Sequence, residues 1–311
     1  MKNLILSFSV LLAAIAALAQ TSHPLHLQMA TPATEFTALS GWHGGMQASA
    51  NYQNNALGSL PTVGYLINVD AYSEKAHSAF GATVSNYRGP NGIFPENKAE
   101  VYYSPKFKLK NDVLLMPSVS VSYNQNYLDW DQLTDTNANG GYGLVYATGQ
   151  TPINNVKQYL GLAAGGALVY HEYFAAANLS YLNIPNTSFF ASSKNLVPIR
   201  GSFIIGKNFE LKELILTPTL GFTSQANFRT LRASINAQYK GFVLAGNILW
   251  NDMIGAAVGY NYKNKARLSY AFNRQYSSLG TGTWASHEIS LNVWLFNKDN
   301  DRGFLKNMGI M

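Results

Sequence analysis

The sequence contains no cysteine. No disulfide can hold this fold, and zinc sites built on thiolates are excluded. Charge is also scarce: Asp, Glu, Lys and Arg make up 12% of the 311 residues, against about 25% in ordinary soluble domains. Long apolar runs are absent beyond the first twenty residues, so no segment predicts a transmembrane helix of about 18 or more residues. Neither a G-x-S-x-G elbow nor a Gly-rich phosphate loop occurs. The formal charge of +6 is spread along the chain without a basic stripe or a nucleic-acid motif, which leaves no case for a nucleic-acid partner.

What is present starts with the leader. Met1-Lys2 is followed by an apolar run from Leu4 to Leu18 and by Ala17-Leu18-Ala19, the small-x-small pattern of a signal-peptidase site. Cleavage is expected after Ala19. Residues 1–19 are then a signal peptide, and residues 20–311 form one exported domain with a short N-terminal segment and a C-terminal periplasmic tail.

The rest of the chain is rich in aromatics, with 19 Tyr, 16 Phe and 5 Trp, and it alternates with period two. Ala99, Val101, Tyr103, Pro105, Phe107 and Leu109 share one face; Glu100, Tyr102, Ser104, Lys106 and Lys108 share the other. Val113, Leu115, Pro117, Val119, Val121 and Tyr123 oppose Ser118, Ser120, Ser122 and Asn124. Leu231–Tyr239, Ile254–Tyr262 and Ser286–Phe296 repeat the pattern. The segments are long for soluble strands, which run about five or six residues, and many end in Tyr, Trp or Phe. Few charges, long alternating strands and aromatic ends predict an all-β fold, a single transmembrane antiparallel β-barrel with apolar residues facing lipid and neutral polar residues facing the lumen.

About fourteen strands are expected, the first near Trp42–Gln53 and the last at Ser286–Phe296. An even count allows closure and removes exposed edges. The connections alternate as such a barrel requires. His171-Glu172, Lys212-Glu213, Lys240-Gly241 and their counterparts are short, charged, periplasmic turns. Arg88–Glu96, Leu128–Asn155, Asn183–Leu196 and Tyr276–Ala285 are long external loops, and Asn251–Met253 is a short exception.

Apparent site motifs weaken under strand geometry. Ser286-His287-Glu288 resembles a triad in composition, but strand neighbours point to opposite faces, so the three cannot converge. Asp135-Thr136-Asn137-Ala138-Asn139-Gly140 matches half of a calcium loop, yet Tyr146 stands where the twelfth-position carboxylate belongs. A polar loop is the simpler reading. Asp299–Gly303 is weaker still. His23 and His26 fall in a flexible or plug-like N-terminal segment. No catalytic residue, cofactor site or metal site is therefore expected. The residues expected to contact a partner lie in the long loops: Asp129, Trp130 and Asp131 in one, Phe189 and Phe190 in another.

The order of segments resembles the PorP/SprF-like outer-membrane proteins of the type IX secretion system. The resemblance is carried by Phe80–Asn86 with Gly89–Ile93, by Leu115–Val119 leading to Leu128–Leu133, by His171–Ala177, by Leu182–Phe190, and by Ser286–Leu291. It spans nearly all of the mature chain, while His23–Gly45 matches poorly. It implies an outer-membrane barrel of a Gram-negative bacterium that helps export, or anchors at the surface, a cargo protein with a C-terminal sorting domain, some members serving gliding adhesins. It also implies contacts with periplasmic secretion and motility components, no cofactor and no catalysis. The rival readings are a passive porin or small-solute channel, an outer-membrane enzyme, and a soluble β-sandwich.

Overall fold

The computed structural model describes residues 31–57, 60–89, 94–109, 112–128, 154–190, 194–276 and 285–295. They form a closed, antiparallel, 14-strand barrel. The strands are β1 (Met46–Leu57), β2 (Leu60–Ser73), β3 (Ser78–Arg88), β4 (Pro95–Pro105, continued by Phe107–Lys108), β5 (Val113–Tyr127), β6 (Val156–Tyr170) and β7 (Tyr173–Ser180). Then come β8 (Arg200–Lys207, continued by Phe209–Leu211), β9 (Leu214–Gln225), β10 (Phe228–Tyr239), β11 (Phe242–Leu249), β12 (Met253–Tyr262), β13 (Ala266–Gln275) and β14 (Ala285–Leu295). Each pairs with the next, and β14 closes on β1 in a register running from Met46↔Leu295 to Ala56↔Ala285.

The alternation sorts the two faces as its chemistry demands. On β14, Ser286, Glu288, Ser290, Asn292 and Trp294 are buried toward the lumen, while Ile289, Leu291 and Leu295 point outward. On β5, Leu114, Met116, Ser118, Ser120, Ser122 and Asn124 point in, and Leu115, Val119, Val121 and Tyr123 point out. Outward apolar side chains at 40–60% exposure, such as Ile67, Val84 and Leu268, would be a liability in water and are matched to acyl chains.

Two aromatic belts bound this apolar band. At the short-turn end, Lys207 lies 4.5 Å from the Tyr173 ring centre and 4.7 Å from that of Phe209, and Phe242 packs against Tyr260 at 5.1 Å. Lys207 reaches past the rings toward headgroups. At the opposite end, Tyr52 packs on Tyr65 at 5.3 Å, and His287 sits between Phe272 and Tyr270, whose hydroxyl is 2.7 Å from its Nδ1. The eleven residues from Leu160 to Tyr170 on β6 span the band; at ~3.3 Å per step and a tilt near 40°, they rise about 25 Å, the height of an outer-membrane apolar zone.

The short turns obey backbone geometry. The two-residue hairpin turns place His171, Lys212 and Lys240 at φ of 51°, 57° and 47°, the left-handed conformation that matches strand twist.

One boundary is corrected. Trp42 and His43 were expected on the first strand, but β1 begins at Met46. Trp42 is 3% exposed and lies inside the barrel. Its aromatic character serves a core there, not a membrane belt.

Candidate functional site

The lumen is occupied by the chain's own residues 31–45. Two short 3₁₀ turns, Pro32–Thr34 and Thr37–Leu39, fold this stretch compactly, with Pro32 supplying the fixed φ at the first turn. Phe36, Ala38, Leu39 and Trp42 pack against Leu114 and Met116 of β5, Ala167 and Val169 of β6, Phe174 and Ala176 of β7, and Ile204 of β8. The Trp42 and Phe174 rings meet edge-on at 6.1 Å. This inner wall is apolar on its luminal face, which explains why the sequence there runs Val113-Leu114-Leu115-Met116 without alternating. One face meets lipid and the other meets the plug.

Buried charges hold the plug backbone. The Ser40–Gly41 peptide unit is gripped from both sides: Lys106 Nζ donates to the Ser40 carbonyl at 2.6 Å, and the Gly41 N–H donates to the Asp70 carboxylate. Both wall residues are buried. Gly41 has φ of 63°, and a Cβ there would lie 2.8 Å from Ala79 Cβ and 2.9 Å from Tyr72 Cβ. Glycine is required for this backbone to approach the wall so closely. Asp70 is further fixed by Asn68 Nδ2 at 3.0 Å, and Asn68 accepts from the Tyr102 hydroxyl at 2.6 Å and from Thr83 at 2.8 Å.

Glu35 reaches the other wall. Its Oε1 accepts from Ser202 at 2.9 Å, from Arg200 Nη2 at 3.3 Å and from Thr223 at 3.4 Å, and Arg232 Nη1 lies 3.9 Å from Oε2. Charge-assisted bonds of this kind are the strongest available to a side chain. Thr37 adds a hydroxyl bond to Ser118 at 2.9 Å. Between the plug and β9–β13, small inward residues including Gly221, Ser234, Ala245 and Ala257 leave a cavity of about 60 Å³, room for a few waters.

Asp129, Trp130 and Asp131 lie outside the described residues, as do Asp135–Gly140, Asp299–Gly303, His23 and His26. Phe189 and Phe190 are half-buried. They end a compact turn in which the Asn186 side chain accepts the Ser188 N–H at 3.1 Å and the Asn195 N–H at 2.9 Å, and Ser188 Oγ bonds the Phe190 backbone. The apparent triad is dispersed. Ser286 and Glu288 face the lumen and His287 faces outward against Tyr270 and Phe272. Among the described residues, no group of three or more His, Cys, Asp or Glu is placed to hold a metal.

Sequence reasoning missed the clamp formed by Asp70, Lys106 and the Ser40–Gly41 peptide, and the Glu35 contacts. The available signal was a cluster of ionisable residues, Asp70, Glu100 and Lys106, at inward strand positions otherwise filled by Ser, Thr and Asn.

Comparison with known proteins gives three results. A family model described as "Type IX secretion system membrane protein PorP/SprF" matches residues 38–293. A sequence comparison with curated proteins gives no match. Among solved structures, the chain is similar to the CymD monoaromatic hydrocarbon channel, with a TM-score of 0.50, 10% identity, and coverage of 90% of this chain and 96% of that one. It is also similar to the Pseudomonas putida toluene transporter TodX, with a TM-score of 0.49, 10% identity and coverage of 88% and 93%. A third is the Acinetobacter baumannii outer membrane protein Omp33, with a TM-score of 0.48, 7% identity and coverage of 81% and 98%. At such identities the likeness describes the barrel fold and nothing further.

Proposed function

Since this chain belongs to the PorP/SprF family of type IX secretion system membrane proteins, we propose that it is an outer-membrane accessory that helps export, or anchors at the cell surface, a particular exported protein, and that it acts by binding. The plugged lumen is the observation that carries this reading. A general solute pore gains nothing from filling its channel with a buried apolar cluster and a clamped peptide unit. A barrel that serves as a platform loses nothing by it, because its working surfaces are its two rims.

The division of labour follows from the rims. The periplasmic turns carry the charged residues His171, Glu172, Lys212, Glu213, Lys240 and Lys263 and suit periplasmic secretion and motility components. The external loops, with Asp129, Trp130, Asp131, Phe189 and Phe190, suit a cargo with a C-terminal sorting domain. Export through cleavage after Ala19 belongs to the same reading. Among the described residues, the triad-like Ser286 to Glu288 straddles the wall and cannot converge on one substrate.

The proposal is tested by purifying the tagged barrel from membranes in mild detergent and identifying what accompanies it by mass spectrometry. An exported protein with a sorting domain, together with periplasmic secretion components, is the expected result. A barrel that purifies alone and passes large steady currents in a planar bilayer would instead be a passive channel.

A further inference from the structure

The wall of the barrel is stepped beside β6. β5 and β6 pair up to Tyr127↔Val156, but β7 stops at Ser180, opposite Ala163. Seven residues of β6, 156–162, therefore rise beyond their neighbour. The two-residue hairpin at Tyr170↔Tyr173 sets which way each backbone group points: even-numbered residues of β6 direct their N–H and C=O toward β7, and odd-numbered ones toward β5.

One residue beyond β7, this edge is capped by a side chain. The Leu162 carbonyl accepts from the Leu182 N–H at 2.9 Å, and its own N–H donates to Asn183 Oδ1 at 3.0 Å. Asn183 Nδ2 then donates to the Leu160 carbonyl at 2.7 Å. The amide of Asn183 thus imitates a strand residue for one step. Above it, the N–H of Leu160 and both backbone groups of Gln158 have no hydrogen-bond partner among the described residues. Leu160 sits opposite Tyr123, an outward aromatic of the external belt, so Gln158 and Val156 stand above the membrane.

We propose that this edge, Val156 to Leu160, is a strand-addition site for an extended segment of the exported partner; this rests on the accessory reading given above. An extended backbone is the ligand whose donors and acceptors recur at the spacing of alternate strand residues, about 6.6 Å. Strand addition to an exposed edge draws its affinity from such main-chain bonds. The outward side chains beside the edge are Leu160 at 57%, Leu182 at 39% and Ile184 at 44% exposure. They select a segment with apolar residues on its outer face. Leu160 and Ile184 also make the edge costly to leave uncovered once a partner strand is in reach.

The experiment is Gln158→Pro in the full-length protein in cells, read against wild type and a gene deletion by quantifying exported proteins at the surface and in the medium. Proline removes the Gln158 N–H, one of two open donors on this edge beside that of Leu160, and leaves the β5-facing ladder of Lys157 and Tyr159 in place. Its constraint on Lys157 is toward extended backbone, which that residue already has. The expected result is a folded, heat-modifiable barrel whose partner is released or lost to the level of the deletion strain, while Gln158→Ala, which keeps the N–H, behaves as wild type. A second variant removes any dependence on folding: Gln158→Cys, the sole cysteine of the chain, is labelled with a bulky maleimide after assembly, and export is expected to fall on labelling. Normal export by both Gln158→Pro and labelled Gln158→Cys, in a background where deletion abolishes it, overturns the edge site and leaves the accessory reading intact. Normal export in the deletion strain overturns both. Loss of barrel self-association without loss of export assigns the edge to a second copy of this chain and overturns the proposal.

Discussion

Replacing Trp42 by alanine is expected to free the plug while leaving the barrel closed. Trp42 is 3% exposed, meets Phe174 edge-on and completes an apolar cluster that spans four strands. Truncating a buried Trp costs about 3–5 kcal/mol in transfer and cavity terms. Here that cost falls on the docking of residues 31–45 and not on the strand ladders, which make no use of the indole. The local opening of the plug should therefore become at least about a hundredfold more frequent, since 1.4 kcal/mol is a factor of ten. Amide exchange at Leu39 and Ser40, whose N–H groups bond the Phe36 and Thr37 carbonyls, reads this directly. Planar-bilayer recordings should change from near-silence in the wild type to frequent openings in Trp42→Ala. Unchanged exchange and unchanged conductance would mean that the plug is held by the Asp70–Lys106 grip and the Glu35 contacts alone.

The second large effect is expected at the closing seam. Leu291 points outward at mid-strand, opposite Ala50 on β1 and Leu268 on β13. Arginine there places a charge near the bilayer midplane at a cost of about 2–4 kcal/mol, on the strand whose pairing with β1 completes the barrel. The folded fraction of Leu291→Arg in lipid vesicles, read from heat-modifiable migration, should fall steeply. His287→Ala loses one hydroxyl contact with Tyr270 in the external belt and should fold nearly as wild type. Equal damage from the two would contradict the assignment of faces, and a greater loss of function from His287→Ala would reopen a chemical role for that residue.

The barrel was legible in the sequence because two solvents impose one pattern. Lipid outside and polar side chains inside force period-two alternation through every strand, and β5 and β6 fall at Val113–Tyr127 and Val156–Tyr170, the bounds the alternation predicts. The pairing of the last strand with the first follows from closure alone. What the pattern hides is anything that answers to neither solvent. Trp42 reads as a belt residue because a belt and a core both select tryptophan. The plug, Thr31 to Gly45, has no period, and its partners on the wall register only as interruptions: Leu114 and Met116 beside Val113 and Leu115, or Phe174 beside Ala175 and Ala176. The grip on the Ser40–Gly41 peptide could not be read at all, because Asp70 and Lys106 come from strands 36 positions apart and meet the plug only in three dimensions. Of the expected contact residues, Phe189 and Phe190 prove half-buried, so any partner would meet the polar face of their turn as much as the rings. The open edge of β6 was not visible either, since a strand's length is legible from alternation but the height of its neighbour is not.

The most direct test of the central claim, that this barrel serves a particular exported protein by binding, is a comparison of surface and medium proteomes between wild type and a clean gene deletion, with the gene restored in trans. The account expects a small set of sorting-domain proteins, in the limit one, to leave the surface or fail to appear in the medium and to return on complementation. Unaltered proteomes, with no sorting-domain protein lost or displaced, would contradict it.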